Sequence, residues 1–264
     1  MLRDGEALDE YHQVEYVSSL MRNPVNLLES GILFAYTQRS WPAPGSRMDW
    51  ELARYNMVES QIRTWEVLDQ RVLDTLFRMK RETYVPEQWR PLAFVDMEIP
   101  LGHGEVMLAP KLEARMLQEL TLKESDRVLE IGTGSGYMTA LLAALAGQVH
   151  SIELHPELSE SAGRKLVRDG VRNIKLETGD AARGWERHAP YDAIVLTGSV
   201  PLPPVELSAQ LKLGGRLLAV VGEPPVMTAH LVTCISEGAL NDVGLFETCI
   251  APLRNVPQPE RFVF

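Results

Sequence analysis

The chain of 264 residues is 45% hydrophobic and 23% charged, a composition typical of globular proteins that excludes disorder throughout. Its formal net charge of −10 opposes binding to nucleic acid, which depends on clustered Lys and Arg. The acidic N-terminus lacks the pattern of a signal peptide, and no apolar run approaches the ~20 residues of a membrane span. We therefore expect a cytoplasmic protein without nucleic-acid or membrane partners.

Residues 1–47 are predicted to form a poorly ordered N-terminal extension. They mix weakly apolar stretches with SWPAPGSR, whose Pro and Gly residues cannot continue a helix. An alternative is that YVSSLMRNPVNLLESGILFAY contributes a helix that docks on the fold. Met48 directly follows SWPAPGSR, which makes it a candidate alternative start of translation.

Apolar residues at helical spacing predict three helices between residues 48 and 122, which together form an N-terminal lobe. The first spans residues 48–62, the second spans residues 69–79, and the third begins at Pro110. Between the second and the third, repeated Pro and Gly predict an extended, turning path of the kind that often lines a site. The residues predicted to face inwards are Leu52, Tyr55, Val58 (or Met57) and Ile62, then Val72, Leu73, Leu76 and Phe77, and finally Leu112, Met116, Leu117 and Leu120.

Residues 123–264 are predicted to form a second, α/β domain. After Asp126 apolar strands alternate with helices, which indicates a Rossmann-like, doubly wound and mostly parallel sheet. Helices are predicted over residues 157–170 and 203–215, each ended by glycine. The last two strands lack an intervening helix, so we expect them to form an antiparallel pair at the end of the sheet. The predicted strands are RVLEIG, QVHSIEL, NIKLETGD, YDAIVLTG, GRLLAVVG, AHLVTCIS and LFETCIAPL.

The two cysteines, Cys234 and Cys249, lie in neighbouring predicted strands. A disulfide between them stays open, but two buried thiols in a reducing compartment are favoured. No spacing typical of a zinc site is present, so no metal is expected.

The segment VLEIGTGSGYMTALLA, residues 128–143, combines an apolar strand, a glycine turn and the start of a helix. Its glycines form G-x-G-x-G, and Tyr137 stands where a dinucleotide fingerprint needs its third glycine. No Gly-Lys-Ser/Thr follows, which excludes a phosphate-binding P-loop. Glu130 precedes the first glycine by two residues. A carboxylate beside the turn disfavours a phosphate and favours a ligand with an ammonium group.

Two further acids are predicted at the carboxyl ends of the following strands. Glu153 ends the second strand, where a carboxylate can accept both hydroxyls of a ribose. Asp180 ends the third strand, where it can accept from an adenine amino group while Ala181 supplies a backbone amide. Glu153 alone does not separate NAD from S-adenosylmethionine. Three carboxylates around one crevice nevertheless fit a cationic sulfonium better than a pyrophosphate.

These residues resemble the class I S-adenosylmethionine-dependent methyltransferases. Residues 56–110 resemble the substrate lobe of the protein-L-isoaspartate O-methyltransferase family, while YDAIVLTGSVPLPP, QLKLGGRLLAVVG and the closing APL are similar to its catalytic domain. The similarity covers about residues 50–253. It implies S-adenosylmethionine as cofactor and, as substrate, a protein or peptide that carries a carboxylate. The candidate cofactor-binding residues are Glu130, Gly132, Thr133, Gly134, Gly136, Glu153, Leu154, Asp180, Ala181 and Thr197.

The loop GHGEVMLAP, residues 102–110, departs from the pattern of this family. Family members usually carry a serine whose hydroxyl contacts the carboxylate that is methylated, and Leu108 stands at that position. His103, Met107 and Leu108 are the candidate substrate-contacting residues, and no catalytic residue is assigned. The acceptor carboxylate is already ionised at pH 7, so no strong base is required. Alignment supplies roughly 7–11 kcal/mol against roughly 1.5–3 kcal/mol for one charge-assisted hydrogen bond.

Loss of the serine is therefore expected to slow such an enzyme without abolishing its activity. Three functions follow for testing. The first is methylation of isoaspartyl residues in damaged proteins. The second keeps the cofactor and uses a different acceptor. The third is a non-catalytic S-adenosylmethionine-binding module whose N-terminal lobe serves as a partner surface.

Overall fold

The computed structural model describes residues 49–259. Short helical turns of other types occupy Val58–Ile62 (a π turn), Arg63–Trp65, Arg81–Thr83, Glu87–Leu92 and Glu186–His188. The helices are α1 (Trp50–Met57), α2 (Gln70–Arg78), α3 (Pro110–Leu120), α4 (Tyr137–Leu145), α5 (Pro156–Arg168) and α6 (Val205–Ser208). The strands are β1 (Ile99–Gly102), β2 (Glu105–Met107), β3 (Arg127–Ile131), β4 (Gln148–Glu153), β5 (Ile174–Thr178), β6 (Tyr191–Leu196), β7 (Leu211–Glu223), β8 (Val226–Ser236) and β9 (Ala239–Thr248).

A mixed seven-stranded sheet runs in the order β5-β4-β3-β6-β7-β8-β9. The first five strands of that order are parallel, and β8 and β9 are antiparallel to their neighbours. The predicted fold class is therefore confirmed. The last strand begins earlier than the predicted LFETCIAPL, because Glu237 and Gly238 alone form the turn before β9. Strands β1 and β2 form a separate antiparallel hairpin.

The predicted helix over residues 203–215 is wrong beyond Ser208. A single helical turn, α6, is followed by β7, whose Leu211 already pairs with Tyr191 of β6. The register then shifts before Arg216 pairs with Ala193. Gly214 lies within this irregularity at a φ of +74°, a conformation that glycine adopts without steric strain. Gly214 and its neighbour Gly215 therefore belong to a bulge at the start of β7 rather than to a helix end.

The inner face of α1 also differs from the prediction. Leu52 and Tyr55 are exposed, whereas Arg54, Met57 and Val58 are buried. The buried residues keep helical spacing, but the helix is turned so that Arg54 reaches the buried Glu82. The predicted inward faces of α2 and α3 are confirmed, with Phe77 half-buried.

Two apolar clusters cover the two faces of the sheet. One joins the N-terminal lobe to the sheet and includes Leu73, Leu117 and Leu142, all essentially inaccessible to solvent. The other includes Leu129 and Leu217, whose chain neighbours Val128 and Leu218 belong to the first cluster, as expected when side chains alternate across a sheet. The core is thus continuous between the lobe and the sheet. The domain boundary after residue 122 stays a prediction, and residues 1–47 lie outside the described residues.

Both cysteines are free thiols, but the prediction that both are buried is wrong. Cys249 is exposed and Cys234 is partly exposed. Among residues 49–259, no helix combines the length and the apolar character needed to cross a membrane.

Candidate cofactor and substrate cleft

The glycine turn leads from β3 into α4 in a conformation that requires glycine. Gly132, Gly134 and Gly136 have φ values of +93°, +52° and +84°, a region that other residues rarely adopt. A Cβ atom on Gly136 would lie 3.0 Å from the Cβ atom of Ala162 in α5. The third glycine therefore allows α5 to pack closely behind the turn, while the first two shape its front.

A cleft opens where β3, β4, β5 and β6 reach their carboxyl ends, the usual position for ligands in open α/β sheets. The loop of residues 102–110, the substrate loop, and the segment after β9 supply the remaining walls. The lining residues are Glu105–Leu108, Glu113, Ile131–Ser135, Met138, Ile152–His155, Gly179–Ala182, Thr197, Gly198 and Ala251–Arg254.

The structure brings most of the predicted site residues to this cleft. Eight of the ten candidate cofactor-binding residues line it, namely Gly132, Thr133, Gly134, Glu153, Leu154, Asp180, Ala181 and Thr197. Met107 and Leu108 of the substrate loop also line it. Three predicted residues do not line the cleft. Gly136 and Glu130 are buried behind its wall. His103 is exposed in the β1–β2 turn, where its ring stacks on that of His155 at a centroid distance of 4.9 Å.

Glu153 is the acid closest to the glycine turn. Its Oε2 atom accepts a hydrogen bond of 2.7 Å from the amide of Gly134, and its Oε1 atom accepts one of 3.0 Å from the amide of His155. Each carboxylate oxygen has a further lone pair. Glu153 is thus held in one orientation at the end of β4 while it keeps acceptor capacity towards the cleft.

Asp180 and Thr197 occupy the ends of the neighbouring strands. The carboxylate of Asp180 accepts from the amide of Ala182 at 3.0 Å and from the side-chain amide of Asn255 at 2.8 Å. The hydroxyl of Thr197 donates to the carbonyl of Gly132 at 2.6 Å. Thr197 therefore fixes the glycine turn from below, whereas Asp180 presents a charge at the far end of the cleft.

Glu130 does not reach the cleft. Its Oε2 atom accepts from the hydroxyls of Thr139 at 2.5 Å and Ser151 at 2.6 Å, and the side chain is fully buried. Burial raises the pKa of Glu130 to about 8, against the effect of these two hydrogen bonds. The carboxyl group is therefore mostly neutral at pH 7 and does not supply the negative charge that its place in the motif suggested.

A charged cluster at the rim of the cleft was missed by sequence reasoning. Oε1 of Glu105, in the substrate loop, accepts from Nε of Arg254 at 2.9 Å and lies 3.4 Å from Nε2 of His155. These residues come from three distant parts of the chain, so no local pattern joins them. Arg254 directly follows the closing APL motif, which is the one signal that pointed towards it.

Glu113 is a second acid of the cleft wall that the sequence reasoning left unassigned. It lies in α3 and forms a buried ion pair with Arg81. Burial raises its pKa to about 7, although Arg81 acts in the opposite direction. In the sequence, Glu113 is an ordinary acid of an amphipathic helix, and only the tertiary contact reveals it.

Comparison with known proteins identifies the family. A family model described as protein-L-isoaspartate(D-aspartate) O-methyltransferase matches residues 53–241. The chain belongs to this family. A relative in Anaeromyxobacter sp. (strain Fw109-5), named protein-L-isoaspartate O-methyltransferase 2, is 40% identical over 207 residues, which cover 78% of this chain and 83% of the relative. A relative in Methanoculleus marisnigri, named protein-L-isoaspartate O-methyltransferase, is 41% identical over 76% of this chain and 90% of the relative.

Solved structures of methyltransferases share the fold. A Plasmodium falciparum structure named for the protein-L-isoaspartate O-methyltransferases, in complex with S-adenosyl-L-homocysteine, matches with a TM-score of 0.66. The match covers 79% of this chain and 99% of that chain at 20% sequence identity. The Rossmann-like fold expected of a family member is therefore confirmed.

Proposed function

We propose that the protein transfers a methyl group from S-adenosylmethionine to the side-chain carboxylate of isoaspartyl residues in proteins and peptides. Membership of the family supports the reaction. The observation that carries the proposal for this chain is the cleft itself, in which the glycine turn, Glu153 and Asp180 meet the substrate loop of the lobe.

The residues of the cleft fit S-adenosylmethionine. Glu153 can accept from the two ribose hydroxyls, Asp180 can accept from the adenine amino group, and the half-buried Leu154 offers an apolar surface between them. The backbone of Gly132 and Gly134 allows close approach because neither residue has a side chain. The cofactor, when bound, supplies an electrophilic methyl group on a positively charged sulfur.

The chain's own contribution to the reaction is alignment and the exclusion of water. Met107 and Leu108 line the cleft, and the two residues are only 3% and 4% exposed, so the substrate loop presents an apolar wall. An acceptor carboxylate is ionised at neutral pH and needs no base. Correct alignment of two reactants supplies roughly 7–11 kcal/mol, more than the hydrogen bond lost with the absent serine.

Arg254 and His155 are two ionisable side chains of the cleft wall that contact the substrate loop. Both contact Glu105 of that loop, and both line the cleft. A guanidinium group can bind a carboxylate through two parallel hydrogen bonds. We infer that Arg254 orients the acceptor carboxylate in place of the serine hydroxyl.

A methyl-transfer assay with matched peptides tests the proposal. The full chain is incubated with S-adenosylmethionine labelled in the methyl group and with two peptides that differ only in an isoaspartyl or an aspartyl residue. Labelled, base-labile methyl ester is expected on the isoaspartyl peptide alone. Binding of the cofactor without any transfer to that peptide would contradict the proposal.

The apolar residue at position 108 favours a second candidate function, methylation of a different acceptor. Leu108→Ser separates the two. If the acceptor is an isoaspartyl carboxylate, the restored hydroxyl raises turnover by up to about tenfold per 1.4 kcal/mol of transition-state stabilisation. If the loop serves another acceptor, turnover of the isoaspartyl peptide stays unchanged. The assay is run well below the melting temperature, because exchange of a buried Leu for a small side chain costs about 2–5 kcal/mol.

A further inference from the structure

A cluster of metal-binding side chains lies outside the cleft. It consists of His150 on β4, Glu177 on β5 and His188 in the turn before β6, and one potential ligand atom of each lies within 4.8 Å of the others. Oε2 of Glu177 is 2.9 Å from Nε2 of His188. The rings of His150 and His188 stack at a centroid distance of 4.2 Å. No member of this cluster is among the cleft-lining residues of the described chain.

The sheet brings these residues together. His150 pairs with Lys175, and two residues further on Ile152 pairs with Glu177. Since alternate side chains of a strand share a face, His150 and Glu177 project from the same side of the sheet. His188 reaches them from the turn Glu186–His188, which is anchored where the hydroxyl of Tyr191 donates to the carbonyl of Trp185 at 2.6 Å.

The histidine of the strand has an unpaired nitrogen. His150 is only 7% exposed, and its Nδ1 atom is enclosed without a hydrogen-bond partner in the described part of the chain. Burial, and then the neighbouring His188, lowers the pKa of His150 to about 4. The ring is therefore neutral at pH 7, which is the form that binds metal ions.

The contacts of His188 also favour a metal ion in this cluster. Its Nε2 atom lies 2.9 Å from the carboxylate of Glu177 and 3.2 Å from the ammonium nitrogen of Lys175. One imidazole nitrogen cannot donate to a carboxylate and accept from an ammonium group at the same time. A cation between the three side chains would take the place of the Lys175 ammonium group, once Lys175 turns away and the stacked imidazole rings rotate towards the ion.

We propose that His150, Glu177 and His188 bind a divalent transition-metal ion of the zinc type. Two imidazoles and one carboxylate form a known set of three protein ligands for Zn²⁺, with a fourth position for water. An outer contact also orients the carboxylate, because Glu177 accepts from the indole of Trp185 at 3.3 Å. The bound ion ties the turn Glu186–His188 to β4 and β5.

Two positively charged side chains near the site, Lys175 and Arg187, oppose the binding of a metal ion. Lys175 is exposed, and the side chain of Arg187 is 70% exposed, so both can move into solvent when a metal ion binds. Their positive charges lower the affinity for Zn²⁺. The three ligands lie far apart along the chain. The sequence therefore shows none of the short ligand spacings typical of zinc sites, which is why no metal was expected.

Metal titration of the full chain tests this site. The protein is freed of metal with a chelator and titrated with Zn²⁺ by calorimetry and with Co²⁺ by visible absorption, which reports coordination geometry. We expect one equivalent of Zn²⁺ per chain. His188→Gln and Glu177→Gln should each weaken binding about tenfold or more, whereas Lys175→Met should strengthen it.

The matched control is His230→Gln. His230 also pairs with a carboxylate, at 2.8 Å from Asp242, but no third metal-binding side chain joins this pair within residues 49–259. This variant should bind Zn²⁺ like the wild type. The proposal is overturned if the wild type takes up no Zn²⁺, or if the ligand variants bind as tightly as His230→Gln. Metal-free melting curves show which variants fold. If the ligand variants do not fold, Lys175→Met still tests the proposal because it removes no ligand, and unchanged Zn²⁺ affinity in that variant would overturn it.

Discussion

The guanidinium group of Arg81 donates a hydrogen bond of 2.6 Å from Nη2 to the backbone carbonyl of Leu108. The same group donates from Nε to the carbonyl of Ala93 at 2.8 Å and pairs with Glu113 through Nη1. Arg81 is completely buried. One buried cation thus anchors the substrate loop at the residue that departs from the family pattern.

Arg81→Met should strongly destabilise the protein, because it leaves the buried Glu113 without a partner. Removal of one member of a buried ion pair costs about 3–5 kcal/mol, measured as the free energy of unfolding in urea. The double variant Arg81→Met with Glu113→Leu should recover part of that loss, since no charge then remains buried. A loss of under about 1 kcal/mol in the single variant would contradict this account.

Glu130→Gln should reduce the pH dependence of stability. Burial raises the pKa of Glu130 to about 8 from an ordinary value of 4.5. Between these values the folded state binds more protons than the unfolded state, so the free energy of unfolding falls as pH rises. The fall is about 1.4 kcal/mol per pH unit. Urea unfolding from pH 5 to pH 8 measures it, and parallel curves for the variant and the wild type would exclude Glu130 as the source.

Glu153→Gln should weaken binding of S-adenosylmethionine and of its demethylated product. The amide keeps one acceptor for Gly134 but loses the charge that favours the ribose hydroxyls, a difference of about 1.5–3 kcal/mol. Calorimetric titration measures the change, with NAD as a ligand that should not bind. Glu157→Gln, on the exposed side of α5, is the control and should keep wild-type affinity. Equal affinity in both variants would remove Glu153 from the site.

Arg254→Gln should raise KM for an isoaspartyl peptide, by about tenfold for one solvent-accessible charge-assisted bond. Binding of S-adenosylmethionine should change little, because the proposed contact is to the acceptor. The control is Arg183→Gln, which removes an exposed pair with Glu206. An unchanged KM in Arg254→Gln would show that another donor orients the carboxylate.

Gly136→Ala and Gly163→Ala should have effects of opposite sign. At Gly136 the added methyl group meets Ala162 at 3.0 Å in a left-handed backbone, so a loss of about 1–3 kcal/mol is expected. At Gly163, inside α5, it meets Leu176 at an ordinary 3.5 Å, and the higher helix propensity of Ala should stabilise the protein by about 0.5–1 kcal/mol. Thermal unfolding of both variants checks this pair, and equal melting temperatures would contradict it.

The cleft acids could be predicted because their positions follow from a local pattern. Glu153 and Asp180 each end an apolar strand, and the carboxyl ends of parallel strands meet at one edge of a sheet. The same reasoning applies to the glycine turn. Glu130 shows its limit, because its motif position places it near the turn but only packing reveals that Thr139 and Ser151 enclose it.

The remainder depends on contacts between distant segments. Arg54 lies on the inner face of α1 because it forms a buried ion pair with Glu82. A prediction from hydrophobic periodicity instead places an arginine on the surface. Arg254 and Glu105 approach each other only once the sheet has formed. The early end of α6 likewise reflects pairing of Leu211 with β6, which no window of the sequence contains.

The segment after β9 belongs to the cleft and not to the sheet. Strand β9 ends at Thr248, yet Ala251–Arg254 still form one wall of the cleft, held by backbone bonds of 2.9 Å between Ser199 and both Ala251 and Leu253. The last strand of the sheet therefore ends before the residues that form this wall of the cleft begin. Proteolytic trimming just after β9 would leave a folded sheet that no longer retains its ligand.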